Sequence, residues 1–300
     1  MTIDKQNGAI AYNDLEHRYW NVNDNEKYIS VTTLIGRYEQ PFDLDFWSKY
    51  KALERLLPAE SWAIEKKSLN NTKVFNKEIL DIYGISELEF NKTQQDILDE
   101  WHDKNLKSQE RGTKIHAELE NAVYKAGKNV SLKKYGIGGK FECRKDYSDL
   151  DLEYGVYPEY LVSRTSSDGD LRLAGQVDLI VKQGNEITII DYKTNEKIKQ
   201  KSGFDTATRK TVKMKAPLGH LDDCNYNHYT LQLSTYAWML QKINPDFVIK
   251  DLILIHFDHN DNQTIYHVDY LKDDVERMLS AYKRDVRLEK SQAKRKPIEY

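Results

Sequence analysis

The chain has 300 residues, 31% of them charged, with 45 lysines and arginines against 48 aspartates and glutamates and a formal net charge of −3. Mean hydropathy is −0.75; the absence of a long apolar run excludes a helical membrane span, and Met1 to Gln6 lack the apolar stretch of a signal peptide, so a cytoplasmic protein is expected. Two cysteines, Cys143 and Cys224, exclude a disulfide framework and a four-cysteine iron–sulfur cluster, and without a P-loop no helicase motor is expected.

His17-Arg18-Tyr19-Trp20 and Lys27 to Leu34 alternate as two short strands about an Asn23-Asp24-Asn25 turn. Residues 42 to 108 read as helices carrying Phe42, Phe46, Trp47, Tyr50, Trp62 and Trp101. Most of these rings suit a core, and a minority would stack on unpaired bases. The next helix starts near Gly112-Thr113 and shows an apolar stripe of Ile115, Leu119, Ala122 and Val123. On it His116 and Glu120 stand one turn apart on one face. A helical histidine is usually a polar surface residue or a satisfied core group. Tyr157 to Val162 is a strand that carries Glu159.

Ala174 to Val181 and Ile187 to Thr194 are β-branched apolar runs of strand length on either side of Gln183-Gly184-Asn185-Glu186, which makes a hairpin. Asp178 interrupts the first run, where a charge is disfavoured. Asp191 lies in the second, and Lys193 two residues on shares its face. Two carboxylates and an ammonium on one sheet face suit Mg²⁺ or Mn²⁺. Such an ion offsets the carboxylate repulsion and polarises a phosphate oxygen, while the lysine holds or activates a water. Alone, an Asp-x-Lys triplet is common, and an aspartate at a strand end is more often a turn former.

From Lys193 to Lys215 eight basic residues oppose only Glu196 and Asp205. This stretch reads as a mobile basic loop suited to a phosphate backbone, or as a solvated charged loop. A helix from Tyr229 to Ile243 carries Gln232 and Tyr236 at i, i+4, with Leu231, Leu233, Ala237, Trp238 and Leu240 as its apolar contacts. Strands at Asp251–Asp258 and Thr264–Tyr270 frame Asn260-Asp261-Asn262, followed by an amphipathic helix from Asp273 to Leu288 and a frayed tail from Lys290 to Tyr300. His256, His259 and His267 show no ligand spacing and are read as structural. The chain divides into residues 1–108, strands and helices, and residues 109–300, a core with the basic loop at 194–228.

Gly175-x-x-Asp178 followed by Ile190-Asp191-Tyr192-Lys193-Thr194 resembles the core motif of the PD-(D/E)xK nuclease superfamily, in particular its RecB-like branch. Arg111 to Glu120 resembles the helix that supplies that branch with a metal-binding histidine, and Leu231 to Tyr236 resembles its Gln-x-x-x-Tyr helix. Tyr28 to Thr32 is similar to the Ser-Val-Thr element of the mitochondrial genome-maintenance exonuclease and its phage relatives, a segment near their nucleic-acid channel. The resemblance covers residues 111 to 236 in four ordered blocks. It implies an α/β fold with a restriction-endonuclease-like αβββαβ core, a mixed central sheet flanked by helices, and an N-terminal helical part arching over the site.

The same resemblance implies metal ligation by His116, Asp178, Asp191, the Tyr192 carbonyl and Glu159; Glu120 is either a plain helical neighbour of His116 or a group that orients its imidazole. It implies catalysis by Asp178, Asp191, Lys193, Gln232 and Tyr236, with Gln232 on the lysine or a phosphate and Tyr236 on the nucleic-acid backbone or a base. Nucleic-acid contacts are expected from Ser30, Thr32, Arg111, Thr194, Lys197, Lys199, Lys201, Arg209, Lys210, Lys213 and Lys215. The implied activity is that of a Mg²⁺- or Mn²⁺-dependent exonuclease on single-stranded DNA or frayed ends, in phage-type or bacterial recombination, replication or repair. Recombination or replication proteins are the implied partners. Some relatives carry an iron–sulfur cluster; none is expected here. The alternatives are a structure-specific or restriction-like endonuclease, a nucleic-acid binder whose site has decayed, and a hydrolase of small phosphoesters, which the basic loop disfavours.

Overall fold

A computed structural model describes residues 3, 5–144 and 152–293. Four short strands open the chain, β1 (Lys5–Asn7), β2 (Ile10–Asn13), β3 (Arg18–Asn21) and β4 (Lys27–Ser30), paired as an antiparallel meander. The strand expected to reach Leu34 stops at Ser30. There the Ser30 hydroxyl accepts the Thr33 N–H at 3.0 Å and caps helix α1 (Val31–Gly36). Val31, Leu34 and Ile35 are buried at helical spacing, so a serine N-cap overrides the β-branched run.

Helices α2 (Leu44–Leu56), α3 (Ala59–Thr72) and α4 (Glu78–Ile82) follow. Phe46, Tyr50, Leu53, Leu69, Phe90 and Ile97 form their shared core, with Trp47, Trp62 and Trp101 packed against it. The aromatic residues of this region are therefore mainly core; Phe42 is 65% exposed. Helix α5 (Glu87–Ala126) runs 40 residues, about 60 Å, from a cap in which Ser86 accepts the Glu89 N–H. The helix start expected at Gly112-Thr113 is thus corrected to Glu87, and the division expected between 108 and 109 falls inside one uninterrupted helix. Gly112 serves a close approach instead, because a Cβ there would meet Thr194 Oγ1 at 3.2 Å.

Strands β5 (Gly155–Thr165), β6 (Arg172–Gln183) and β7 (Glu186–Lys193) form an antiparallel trio, and the expected hairpin turn closes between Gln183 and Glu186. The basic segment carries a two-rung hairpin, β8 (Phe204–Asp205) with β9 (Lys210–Thr211). It is anchored where a mobile loop was expected. Thr206 Oγ1 donates to Asn70 O at 2.8 Å, the Lys215 N–H donates to Tyr38 O at 2.7 Å, and Met214 and Leu218 are buried. Helix α6 (Asn225–Ile243) leads into β10 (Val248–Phe257), parallel to β7, then β11 (Gln263–His267), antiparallel to β10, and helix α7 (Lys272–Ala293). The frayed end expected from Lys290 is helical to Ala293, and residues 294–300 lie outside the described part.

The sequence α5-β5-β6-β7-α6-β10 is the expected αβββαβ core. One edge of β6 is covered by β5 along its length. The other edge is shared, with β4 pairing at Leu173 and Ala174 and β7 pairing from Leu179 onward. Between those two contacts, at Gly175 to Asp178, the sheet opens. One core lies between the sheet and α1, α6 and α7, built around Leu231, Tyr236, Ile189 and Met278. A second lies on the α5 face, around Phe141, Ile190 and Ile253. No helix among the described residues is long and apolar enough to cross a membrane.

Candidate active site

The strand registers create the site. Pro158 pairs with Leu179 and Tyr160 with Val177, which sets Glu159 opposite Asp178. Leu179 pairs with Ile190, so continuing that register sets Asp178 opposite Asp191. Opposed residues on antiparallel strands face the same way. Three carboxylates thus form one row across three strands, an arrangement that repels itself unless cations compensate it. Glu159 also holds a left-handed φ of 52°, a conformation that costs a non-glycine residue about 1–3 kcal/mol and persists only when its surroundings impose it.

Each carboxylate has its own compensation. Asp178 accepts the Tyr192 N–H through Oδ2 at 2.7 Å and faces His116 Nδ1 at 3.5 Å. His116 reaches in from α5, and its Nε2 lies 3.1 Å from the Tyr192 carbonyl. Asp191 is buried and pairs with Lys193 Nζ at 2.6 Å. Glu159 meets Lys5 Nζ at 3.1 Å and accepts from Gln176 Nε2. Gln232 bridges the lysine and the aspartate: its Oε1 accepts from Lys193 Nζ at 3.1 Å and its Nε2 donates to Asp191 Oδ1 at 3.2 Å. The Lys193 ammonium also lies over the Tyr229 ring, 4.7 Å from its centre, a favourable cation–π position.

Burial and mutual charge set the protonation. Burial lifts Glu159 to about 7, helped by Asp178 and opposed by Lys5. Burial likewise lifts Asp191 to about 6 against the pull of Lys193. For His116, burial works against the charged form, but the Asp178 carboxylate outweighs it and raises the imidazole to about 9. Lys193 is also pushed down by burial, yet Asp191 and Asp178 carry it above its usual value. Burial and mutual repulsion thus raise two carboxyls of the row, while the carboxylates in turn favour the charged forms of His116 and Lys193.

Among the described residues, one donor atom each of His116, Glu159 and Asp178 lies within 4.8 Å of the others. These are three of the five expected ligands. Asp191 is turned toward Lys193, and the Tyr192 carbonyl lies against His116. Glu120 lines the cleft in front of His116.

Several expected contacts are directed to the protein itself. Tyr236 is 3% exposed, too buried to touch a backbone or base. Its hydroxyl accepts from Gln232 Nε2 at 3.2 Å, and its ring lies where a Gly175 Cβ would be, 2.5 Å from Cε1. Arg111 spends its guanidinium on protein, donating to Thr194 O at 2.8 Å, Asp261 Oδ1 at 2.7 Å and the carbonyls of Phe257 and Asp258. The Ser30 hydroxyl caps α1 and lies 3.1 Å from the Thr32 hydroxyl. Lys213 pairs with Asp222 and Lys215 Nζ donates to Arg37 O at 3.4 Å, while Lys197, Lys199, Lys201, Arg209 and Lys210 are exposed. Thr194 is half-buried beside Gly112.

Lys5, Gln176 and Tyr229 escaped the sequence reading. Gln176 was recoverable, since it shares the Asp178 face two residues away. Lys5 carried no local signal, because its partner lies 154 residues off. His256 and His267 are structural as expected: the first is 2.6 Å from Asn195 O, the second 2.7 Å from Asp251.

The fold and site define an α/β protein with a carboxylate row, a lysine and a histidine at a break in the sheet. The family model of the PD-(D/E)XK nuclease superfamily matches residues 85–299, and the chain belongs to that superfamily. Among solved structures it is similar to SSO0001, with 17% identity and a TM-score of 0.27 over 42% of this chain. The chain spans 48% of the length of that protein. It is also similar to a structure from Eubacterium rectale described as a putative exonuclease, at 13% identity and a TM-score of 0.29, covering 86% of this chain and 77% of that one. No curated protein matches the chain.

Proposed function

We propose that the chain is a Mg²⁺- or Mn²⁺-dependent DNA exonuclease that takes single strands or frayed ends, in recombination, replication or repair. The observation that carries this reading is the row of Glu159, Asp178 and Asp191 with His116 above it and Lys193 at its end. Two features fit the row to a divalent cation. One is the nitrogen and two carboxylate donors within 4.8 Å. The other is Asp191 Oδ2, which is sealed from solvent and receives no well-directed hydrogen bond despite the nearby ammonium. His116, Glu159 and Asp178 would hold the ion, with Asp191 and the Tyr192 carbonyl as neighbouring oxygen donors. When bound, it neutralises the carboxylates and draws charge from a phosphodiester oxygen.

The chain's own residues orient the attack. Lys193 stays charged; it donates to Gln232 Oε1 and is ion-paired with Asp191 without a well-directed hydrogen bond. Its remaining protons would hold the attacking water or steady the charge that develops on the phosphate. Gln232 stops the ammonium swinging away, and Tyr236 stops Gln232.

The preference for a free end rests on the ties between the N-terminal helical part and the basic segment that follows Lys193. The N-terminal helical part is tied to the basic segment by Gln40 Nε2 to Lys213 O at 2.8 Å, the Lys215 N–H to Tyr38 O and Thr206 to Asn70 O, and by Lys104 to Glu196 at 3.0 Å. Elements bound together around a site favour a strand end over an uninterrupted duplex. The exposed lysines and arginine of the segment, with Phe204 63% exposed among them, offer charge and a stacking face to a single strand. End-labelled linear and covalently closed circular single-stranded DNA test the reading. Metal-dependent loss of the linear substrate with survival of the circle is expected, and cutting of the circle refutes an exonuclease. Asp191→Ala and Lys193→Ala are expected to fold and to be inactive; full activity in either overturns the site.

A further inference from the structure

The cleft that ends on His116 and Glu159, of about 570 Å³, is walled opposite α5 by the β2–β3 turn, with Tyr12, Asp14, Leu15 and His17 lining it. Leu15 is 93% exposed. A lone exposed leucine on an ordinary surface means little. This one is carried on a backbone held in place. Asn13 is buried and its Oδ1 accepts the Glu16 N–H at 2.6 Å, and the Tyr12 hydroxyl bonds His17 Nδ1 at 3.0 Å. His17 takes a left-handed φ of 45°, and the rings of Tyr12 and Tyr19 stack 4.4 Å apart. A non-glycine residue stays in that region only when its surroundings impose it.

A rigid turn therefore presents a fully hydrated leucine in a cleft whose remaining lining is largely polar. It gains burial only when apolar surface arrives, and on a nucleic acid that surface is the face of a base. We propose that Leu15 is a wedge that packs on the outermost base of a duplex end and parts it from its complement, freeing one strand to reach the carboxylate row. Apolar side chains that unstack base steps cost a few kcal/mol of stacking per step, and the opening is least costly where pairing is already weak. This inference rests on the nuclease reading above.

The test digests a labelled blunt duplex and the same strand alone with the wild type, Leu15→Ala, Leu15→Met and Leu88→Ala. Leu88 is 82% exposed and lies about 40 Å from His116 along α5. The ratio of duplex to single-strand rate is expected to fall about tenfold in Leu15→Ala, the rate equivalent of the apolar burial that truncation removes. Leu15→Met restores it, and Leu88→Ala leaves it unchanged. A 2-aminopurine at the duplex terminus reads the step without turnover: its fluorescence rises on binding an Asp191→Asn protein and stays low when Leu15→Ala is added. An unchanged ratio, equal slowing of both substrates, or a wild type that digests single strands but no duplex end refutes the wedge while leaving the nuclease reading intact. A wild type that cleaves neither substrate under any divalent metal sinks both.

Discussion

Gly175→Ala sets two effects of opposite sign against each other. The φ of Gly175 lies outside the left-handed region, so alanine fits the backbone, and restricting the unfolded chain alone would stabilise by about 0.4–1 kcal/mol. The added methyl, however, would lie 2.5 Å from Tyr236 Cε1 and 3.2 Å from its Cζ and Oη. Tyr236 is buried in the core beside Leu233, so its ring cannot swing out to relieve the contact. Overpacking of this kind costs about 1–3 kcal/mol, so the steric term wins and the net loss is roughly 0.5–2 kcal/mol. Urea denaturation should show a lower midpoint at unchanged slope. The displaced ring also loosens Gln232, so cleavage should fall further than stability accounts for. In a double-mutant cycle with Tyr236→Leu, the alanine should cost less beside the smaller side chain, with a coupling of at least about 0.5 kcal/mol. An additive cycle, or a Gly175→Ala protein as stable and active as the wild type, refutes the reasoning.

Arg111→Ala should lower stability by about 1.5–3 kcal/mol, since charge-assisted bonds to main-chain carbonyls are removed, while the salt dependence of DNA binding stays the same; a reduced salt slope would return Arg111 to the nucleic-acid interface. Removing Lys199, Lys201, Arg209 or Lys210 should instead reduce that slope by about one each, measured by fluorescence anisotropy across a salt series. Asp168 and Asp170 are held to α7, with Lys283 2.7 Å from Asp168 and Lys290 2.9 Å from Asp170. Both carboxyls are depressed, Asp168 chiefly by its bond to Lys283 and Asp170 by Arg287. Folded values below unfolded ones mean that their contribution is present above about pH 4 and disappears as pH falls through the folded values. Asp168→Asn should therefore destabilise most above about pH 4, with the difference from wild type shrinking progressively as pH falls below 4 toward the folded value, a result that thermal melts from pH 2 to 7 can contradict.

Much of the core was legible in the sequence because it is local. β-branched apolar runs of strand length and a Gly-Asn turn specified the β6–β7 hairpin, and an apolar stripe specified α6. Where local signals conflicted, packing resolved them. Gly112-Thr113 looks like a helix start, yet α5 begins at the Ser86 cap and runs through it, and the glycine serves instead the close approach of Thr194. Ser-Val-Thr-Thr looks like a strand, yet Ser30 caps a helix whose apolar side is buried. The basic segment looks mobile, but Met214 and Leu218 pin it.

Alternation along the hairpin singled out Asp178, Asp191 and Lys193, whereas His116, Gln232 and Tyr236 were picked out by the resemblance to the PD-(D/E)xK superfamily, helical spacing alone giving only the face each stands on. Register then aligned Glu159 with the two aspartates and brought Lys5 across 154 residues to meet it. Burial turned Tyr236, and bonds to main-chain carbonyls and Asp261 turned Arg111, from candidate substrate contacts into supports. Faces follow from the periodicity of one segment, whereas rows, exposure and charge partners depend on how segments distant in sequence pack together.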